Sequence, residues 1–285
     1  MIHSLSACVG GNMFRGAAAV AALFFGFSAS AFADKIDGVV AQSRAGDIVF
    51  AMDRKGSEIG HHSISYTPLD DGRLQVDVAI TIKVKFAFIT AYRYEHRNRE
   101  IWSADGQTLL SIETQTHNNG KDIAVSGRRD GDLFVMTDED GQTYTIEGPI
   151  APTSYWTPLL LDEGVSILNT QKGKVTDVRF SPGQDSSVAL PSGDAAQTTI
   201  YESEGELSGI FAEYSPENRC FVGLEFLPPK QDVMISYRLE SYFTQKRSDL
   251  NAFPRLDACQ SAFDAQTDGE TYQLSAGEGD QQSKS

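Results

Sequence analysis

"LQVDVAITIKVKFAF" (residues 74–88) alternates with a period of two: Leu74, Val76, Val78, Ile80, Ile82, Val84, Phe86 and Phe88 share one parity, while Asp77, Thr81, Lys83 and Lys85 take the other. Successive side chains of a strand point to opposite faces, so the stretch predicts a strand with one dry and one wet side. At about 3.3 Å per residue the run would extend roughly 50 Å, far beyond a usual strand, so it must bend strongly or break near residues 83–88. A long, coiled antiparallel strand of a barrel or half-barrel fits this best.

The neighbouring sequence supports that fold. Asp71-Gly72, Asp105-Gly106, Asn119-Gly120, Asp130-Gly131 and Asp140-Gly141 are dipeptides that accept positive φ, and the last four bracket successive strands of a meander. Strands are predicted at 47–53, 58–67, 73–84, 91–103, 108–117, 121–129, 132–138 and 142–147. A second group follows at 165–168, 173–181, 198–203, 206–214, 220–227 and 232–243. Period 3.6 is absent at helical length, and only "TSYWTPLLLDEG" (153–164) suggests a short helix. The expectation is therefore an all-β chain: a curved antiparallel meander forming a barrel or half-barrel with at most one short helix. Residues 34–260 make a single β domain, interrupted by a polar Gly/Pro-bearing loop insert at 181–197. Residues 261–285, rich in Gly, Ser, Gln, Asp and Glu, read as a disordered acidic tail.

The first 33 residues carry a cationic Arg15, an apolar run from Ala17 to Phe27, and the small-x-small exit Ala31-Phe32-Ala33. These are the parts of a cleaved secretory signal, with Met13 the better initiator and cleavage after Ala33. The apolar run falls well short of the roughly twenty residues that span a bilayer. An exported, periplasmic chain without a transmembrane span is expected after processing. Its formal charge, −15 for the whole chain, becomes more negative when Arg15 leaves. Such acidity repels phosphate backbones and anionic headgroups, which argues against nucleic acid as a partner. Processing also leaves two cysteines, Cys220 and Cys259, an even number in an oxidising compartment, and a disulfide between them is expected.

The chemistry is densest in "AYRYEHRNREIW" (91–102). Strand parity puts Tyr92, Tyr94, His96, Asn98, Glu100 and Trp102 on one face and Arg93, Glu95, Arg97, Arg99 and Ile101 on the other. The aromatic row can share the apolar face of 73–84, leaving the arginines and Glu95 with Lys83 and Lys85 in water. An aromatic surface with one imidazole and one carboxylate suits a mostly apolar pocket with a few orienting polar groups; a hydrogen-bonded core is the alternative. Tyr155 and Trp156, in "PTSYWTP", are hard to bury on a sheet face and are expected to plug or rim the open end of the barrel.

Other chemistries find less support. Adjacent His61 and His62 point to opposite faces of a strand, and no spacing sets two imidazoles on one side, so no metal is assigned. A convergence of His62, His96 and His117 from three strands is the metal arrangement left to consider. There is no G-x-S-x-G elbow, and Asp138, Glu139 and Asp140 crowd a hairpin turn.

The blocks "VKFAFITAYRYEHRNREIW", "TQTHNNGKDIAVSG", "SYWTP" and "VGLEFLPPKQDVMISYRLESY" together resemble an exported bacterial family of unknown function, domain of unknown function family 6134. "EIGHH" (58–62) resembles that family's early hairpin, where an Ile-Gly pair precedes a histidine. The likeness spans about residues 46–243 and is similar in pattern to other periplasmic β-rich domains of unknown function. It implies an exported antiparallel β fold, akin to the half-barrels of lipoprotein carriers, and no established activity, cofactor or site residue. The 181–197 insert, "SPENRC" and the tail beyond Phe243 depart from the pattern.

The long one-sided strand, whose dry face is larger than a thin sheet alone would need, leads to a non-enzymatic protein that holds a lipid-like or other apolar molecule with Tyr92, Tyr94, His96, Trp102, Tyr155 and Trp156, and needs no cofactor. Two other classes compete with it. One is a hydrolase-type enzyme centred on His96 with Glu95 or Glu100 and a second histidine. The other is an envelope assembly partner that works through sheet edges.

Overall fold

The computed structural model describes residues 39–86, 89–228 and 232–264. The expected signal segment and the acidic tail past Asp264 lie outside those residues.

One thirteen-stranded antiparallel sheet dominates the fold. From edge to edge it runs β12 (Val178–Ala189), β13 (Ala195–Gly205), β14 (Ile210–Tyr214), β15 (Phe221–Phe226), β16 (Ile235–Tyr242), β1 (Ile48–Arg54), β2 (Ser57–Pro68), β3 (Leu74–Phe86), β4 (Ile89–Trp102), β5 (Leu109–Asn118), β6 (Lys121–Asp130), β7 (Leu133–Thr137) and β8 (Thr143–Glu147). Pairing of β1 with β16 joins the early and late halves of the chain. A small sheet of β9 (Ile150–Pro152), β10 (Ser166–Asn169) and β11 (Lys174–Val175) lies apart. Ile146 of β8 and Phe180 of β12, from the two edge strands, belong to one buried cluster, so the sheet wraps around its own core without closing. This is the curved antiparallel architecture that the period-two pattern predicts.

The turns follow the same logic. Every glycine of the five Asx-Gly dipeptides has positive φ, from +61° at Gly131 to +94° at Gly120. β3 ends at Phe86 and its pairing with β4 is irregular between Val84 and Lys85, which is where the long run was expected to give way.

Two expectations need correction, the loop insert at 181–197 and the start of the tail at 261, while the short helix within 153–164 is present. Residues 181–197 are not a loop insert: most of them form the hairpin of β12 and β13, closed by a tight turn at 190–194. The run is polar because much of β12 is exposed at a sheet edge, so alternation with a core face is faint. The 153–164 stretch holds one turn of 3-10 helix, Pro158–Leu161, capped by the Thr157 hydroxyl. The longer helix, here α2 (Pro254–Asp264), lies elsewhere and enters the segment read as tail. It opens with Pro254, a favoured first helical residue, and buries Leu256 and Cys259.

Cys259 is joined to Cys220 at the start of β15, with a Cα–Cα distance of 5.6 Å. The bond pins α2 to the sheet. Short helix α1 (Val39–Gln42) covers β3 and β4 on the convex side, where the Ser43 hydroxyl meets that of Thr81 at 2.9 Å. This cover explains a further departure. Glu95 does project away from the aromatic row, but it is only 4% exposed, paired with Arg93 at 2.7 Å, instead of standing in water.

Candidate functional site

Hydrogen-bond register sets the concave face in rows. Phe50, His62, Ile80, His96 and Thr116 align across β1 to β5, and Met52, Gly60, Ile82 and Tyr94 form the next row. On β4, Tyr94, His96, Asn98, Glu100 and Trp102 are all buried. The even-numbered residues therefore share one shielded face, and they divide it into two environments.

At one end, Glu100 is fully buried and binds two tryptophans. The Trp102 and Trp156 indole N–H groups each donate to Glu100 Oε2 at 2.8 Å, and Asn98 Nδ2 donates to Oε1 at 2.6 Å. The two rings meet edge-on, with centroids 5.1 Å apart. Burial pushes the Glu100 carboxyl above the usual range, and the donors from Trp156, Trp102 and Asn98 pull against it. Trp102 has no exposed surface, so it fills the interior and lines no opening. Trp156 also borders a cavity of about 210 Å³, walled by Leu74, Phe253, Leu256 and Arg255, whose guanidinium stacks on the indole at 5.0 Å.

At the other end, the remaining sequence-predicted residues gather. Tyr94 stacks on His96, and the phenols of Tyr92, Tyr237 and Tyr155 lie within its electrostatic reach; burial first, and then these neighbours, hold its hydroxyl well above its ordinary pKa. Tyr155 reaches the site by adopting φ +63°, a costly conformation for a bulky residue, and stacks against Phe221. His62 stands in the middle, edge-on to Tyr237 with centroids 5.5 Å apart and tilted against Phe50 and Phe221. Both of its ring nitrogens are buried without a hydrogen-bond partner among the described residues. His96 uses Nδ1 to meet the Thr116 hydroxyl at 2.8 Å.

Both imidazoles are neutral at pH 7. Burial, and then the neighbouring His96, lower His62 to about 3; burial lowers His96 to about 4. Among the described residues no carboxylate hydrogen-bonds to His96. Glu95 projects from the opposite face, and Glu100, four residues along the strand at roughly 13 Å by strand rise, has its oxygens occupied. His117 also lies across the sheet, against Asp122 at 2.6 Å, so the three-histidine convergence does not form.

Of the six residues expected to line one pocket, Tyr92, Tyr94, His96 and Tyr155 come together, while Trp102 and Trp156 seal a separate region. His62 and Tyr237 complete the group and were missed. Parity marks His62 as inward-facing, but only strand order brings β16 and its Tyr237 beside it.

These features define an open antiparallel β half-barrel whose inner wall, at the Tyr94–His96 end, is aromatic and lined with neutral hydrogen-bonding groups. The chain belongs to the family described as domain of unknown function DUF6134, whose model matches residues 50–238. It is also similar to a solved structure described as a beta-barrel-like protein of domain of unknown function DUF1849 from Brucella abortus. That likeness has a TM-score of 0.48 at 9% identity and covers 68% of this chain and 95% of the other. No curated protein matches the chain. Among the described residues no helix is long and apolar enough to cross a membrane.

Proposed function

We propose that this protein is a non-enzymatic, exported periplasmic binder of an uncharged, largely apolar molecule, held against the Tyr92–Tyr94–Tyr155–Tyr237 wall. The observation that carries the reading is His62. A buried polar atom without a partner costs about 1–3 kcal/mol, and this ring has two in a wall otherwise built of aromatics. His62 is 1% exposed, so the surrounding rings must part to admit a ligand; one offering a hydroxyl, carbonyl or ether oxygen on an apolar body would then supply a partner while the rings supply contact area. Neutral imidazoles and phenols favour an uncharged guest over an anion.

The test is to isolate the chain from the periplasmic fraction, extract it with organic solvent, and identify what is released by mass spectrometry. The wild type should yield a stoichiometric apolar compound. His62→Phe should yield markedly less while melting at the same or a higher temperature, because the substitution removes unsatisfied nitrogens. An empty wild-type extract, with no saturable binding of a polarity-sensitive dye, would reject the proposal.

A further inference from the structure

The convex face carries a second group of residues that the aromatic wall does not use. His61 is 3% exposed, and its Nε2 lies 3.6 Å from Glu58 Oε1 and 3.4 Å from Glu240 Oε2. Its Nδ1 has no hydrogen-bond partner among the described residues. The two carboxylates are partly open to solvent, at 42% and 33%. The three donor atoms lie within 4.8 Å of one another.

Two irregularities build this cluster. Glu58 and His61 are three residues apart and would face opposite ways in a regular strand. Opposite β1, however, Met52 pairs with Gly60 and Asp53 with Glu58, so Ile59 is an extra residue and the parity switches. On the other side of β1, Val49 pairs with Ser241 and Phe50 with Leu239, leaving Glu240 as the extra residue. Bulges re-aim side chains, and here two of them, on the strands flanking β1, aim carboxylates at the same imidazole.

We propose that Glu58, His61 and Glu240 form a binding site for a divalent d-block cation of the zinc class. Distance is the first argument. Separations of 3.4 and 3.6 Å exceed the 2.7–3.2 Å of good N–H···O hydrogen bonds. They match the edge of a tetrahedron around a metal with bonds of about 2.0–2.2 Å, which is about 3.3–3.6 Å. Chemistry is the second. An imidazole nitrogen with two carboxylates suits zinc-class ions, whereas calcium and magnesium prefer oxygen alone.

The surroundings orient the donors. Arg238 takes the opposite oxygens, Glu240 Oε1 at 3.2 Å and Glu58 Oε2 at 3.7 Å, and also holds Asp53 at 3.2 Å. That leaves Glu58 Oε1 and Glu240 Oε2 toward His61, the supporting role outer groups play at metal centres. Arg44 sits 3.7 Å from Glu58 Oε1 on a side chain that is 58% exposed, a long contact that a bound cation would have to displace. Three carboxylates against two arginines leave the cluster net negative.

The test titrates the full chain, purified without a histidine tag and stripped with chelator, with zinc ion against a chromophoric competitor. Cobalt substitution then reads coordination geometry from visible absorption. The wild type should bind one zinc ion with a raised melting temperature and give tetrahedral-type cobalt bands. His61→Gln should abolish all three. Glu240→Gln, at a half-exposed position that preserves the fold, should weaken binding at least tenfold, while Glu147→Gln on exposed β8 should change nothing. Wild-type zinc affinity in Glu240→Gln, or no saturable site in the wild type, would overturn the assignment.

Discussion

Trp102 and Trp156, from a strand end and an irregular loop, donate to the same oxygen of Glu100 while their rings pack edge to face. The buried carboxylate is thus the acceptor that lets two large indoles lie in the core with their N–H groups satisfied.

Replacing that acceptor tests its worth. Glu100→Leu strands two indole N–H groups and the Asn98 amide, at about 1–3 kcal/mol each, so a loss of roughly 3–9 kcal/mol is expected in urea denaturation. Glu100→Gln should cost far less, because its oxygen still accepts both indoles and Asn98, whose Oδ1 has no partner, can turn to accept from the new amide.

The same pair of proteins gives a pH signature. The folded carboxyl of Glu100 titrates above its ordinary 4.5, so between the two values the folded state holds a proton that the unfolded chain has released. Stability from this group therefore falls as pH rises through that window. Subtracting Glu100→Gln unfolding energies from those of the wild type should show a difference that grows less favourable to the wild type above pH 4.5.

The two concave histidines act in the opposite sense. With folded values of about 3 and 4 against 6.5 unfolded, the unfolded chain binds more protons below pH 6.5. Their contribution is complete above that pH and drains away as pH falls, at a slope approaching about 2.7 kcal/mol per unit for two groups. His62→Phe should remove about half of that slope between pH 6 and 4, measured by denaturant unfolding across the range.

The Cys220–Cys259 bond closes a loop with a sequence separation of 39. The chain-entropy model assigns it about 4 kcal/mol. The double variant Cys220→Ala/Cys259→Ala should melt about 10 °C lower by calorimetry, given roughly 2–4 °C per kcal/mol at this size.

Gly60 is needed for a different reason from the turn glycines. A methyl group there would sit 1.8 Å from the Thr81 carbonyl oxygen, so β2 and β3 must part to admit it. Gly60→Ala should cost at least about 3 kcal/mol. Gly131→Ala, at positive φ in open space, should cost only about 1 kcal/mol. Thermal melts of the two variants compare clash with conformational strain directly.

What the chain decides by itself is local. Alternation from Leu74 to Trp102 and the Asx-Gly turns are enough to give strands, hairpins and an inner face, because both depend on neighbours a few residues apart. The same rule misread 181–197, since an edge strand facing water on much of its length has little alternation to show, and it missed α2, which depends on a disulfide and on docking. Tertiary structure decided the rest. Tyr237 joins His62 because β16 pairs beside β1; Glu95 is buried because α1 covers the convex face; and Glu58 and His61 share a side because a bulge shifts parity by one residue. None of these is visible to periodicity, which assumes regular strands and says nothing about which strand lies next to which.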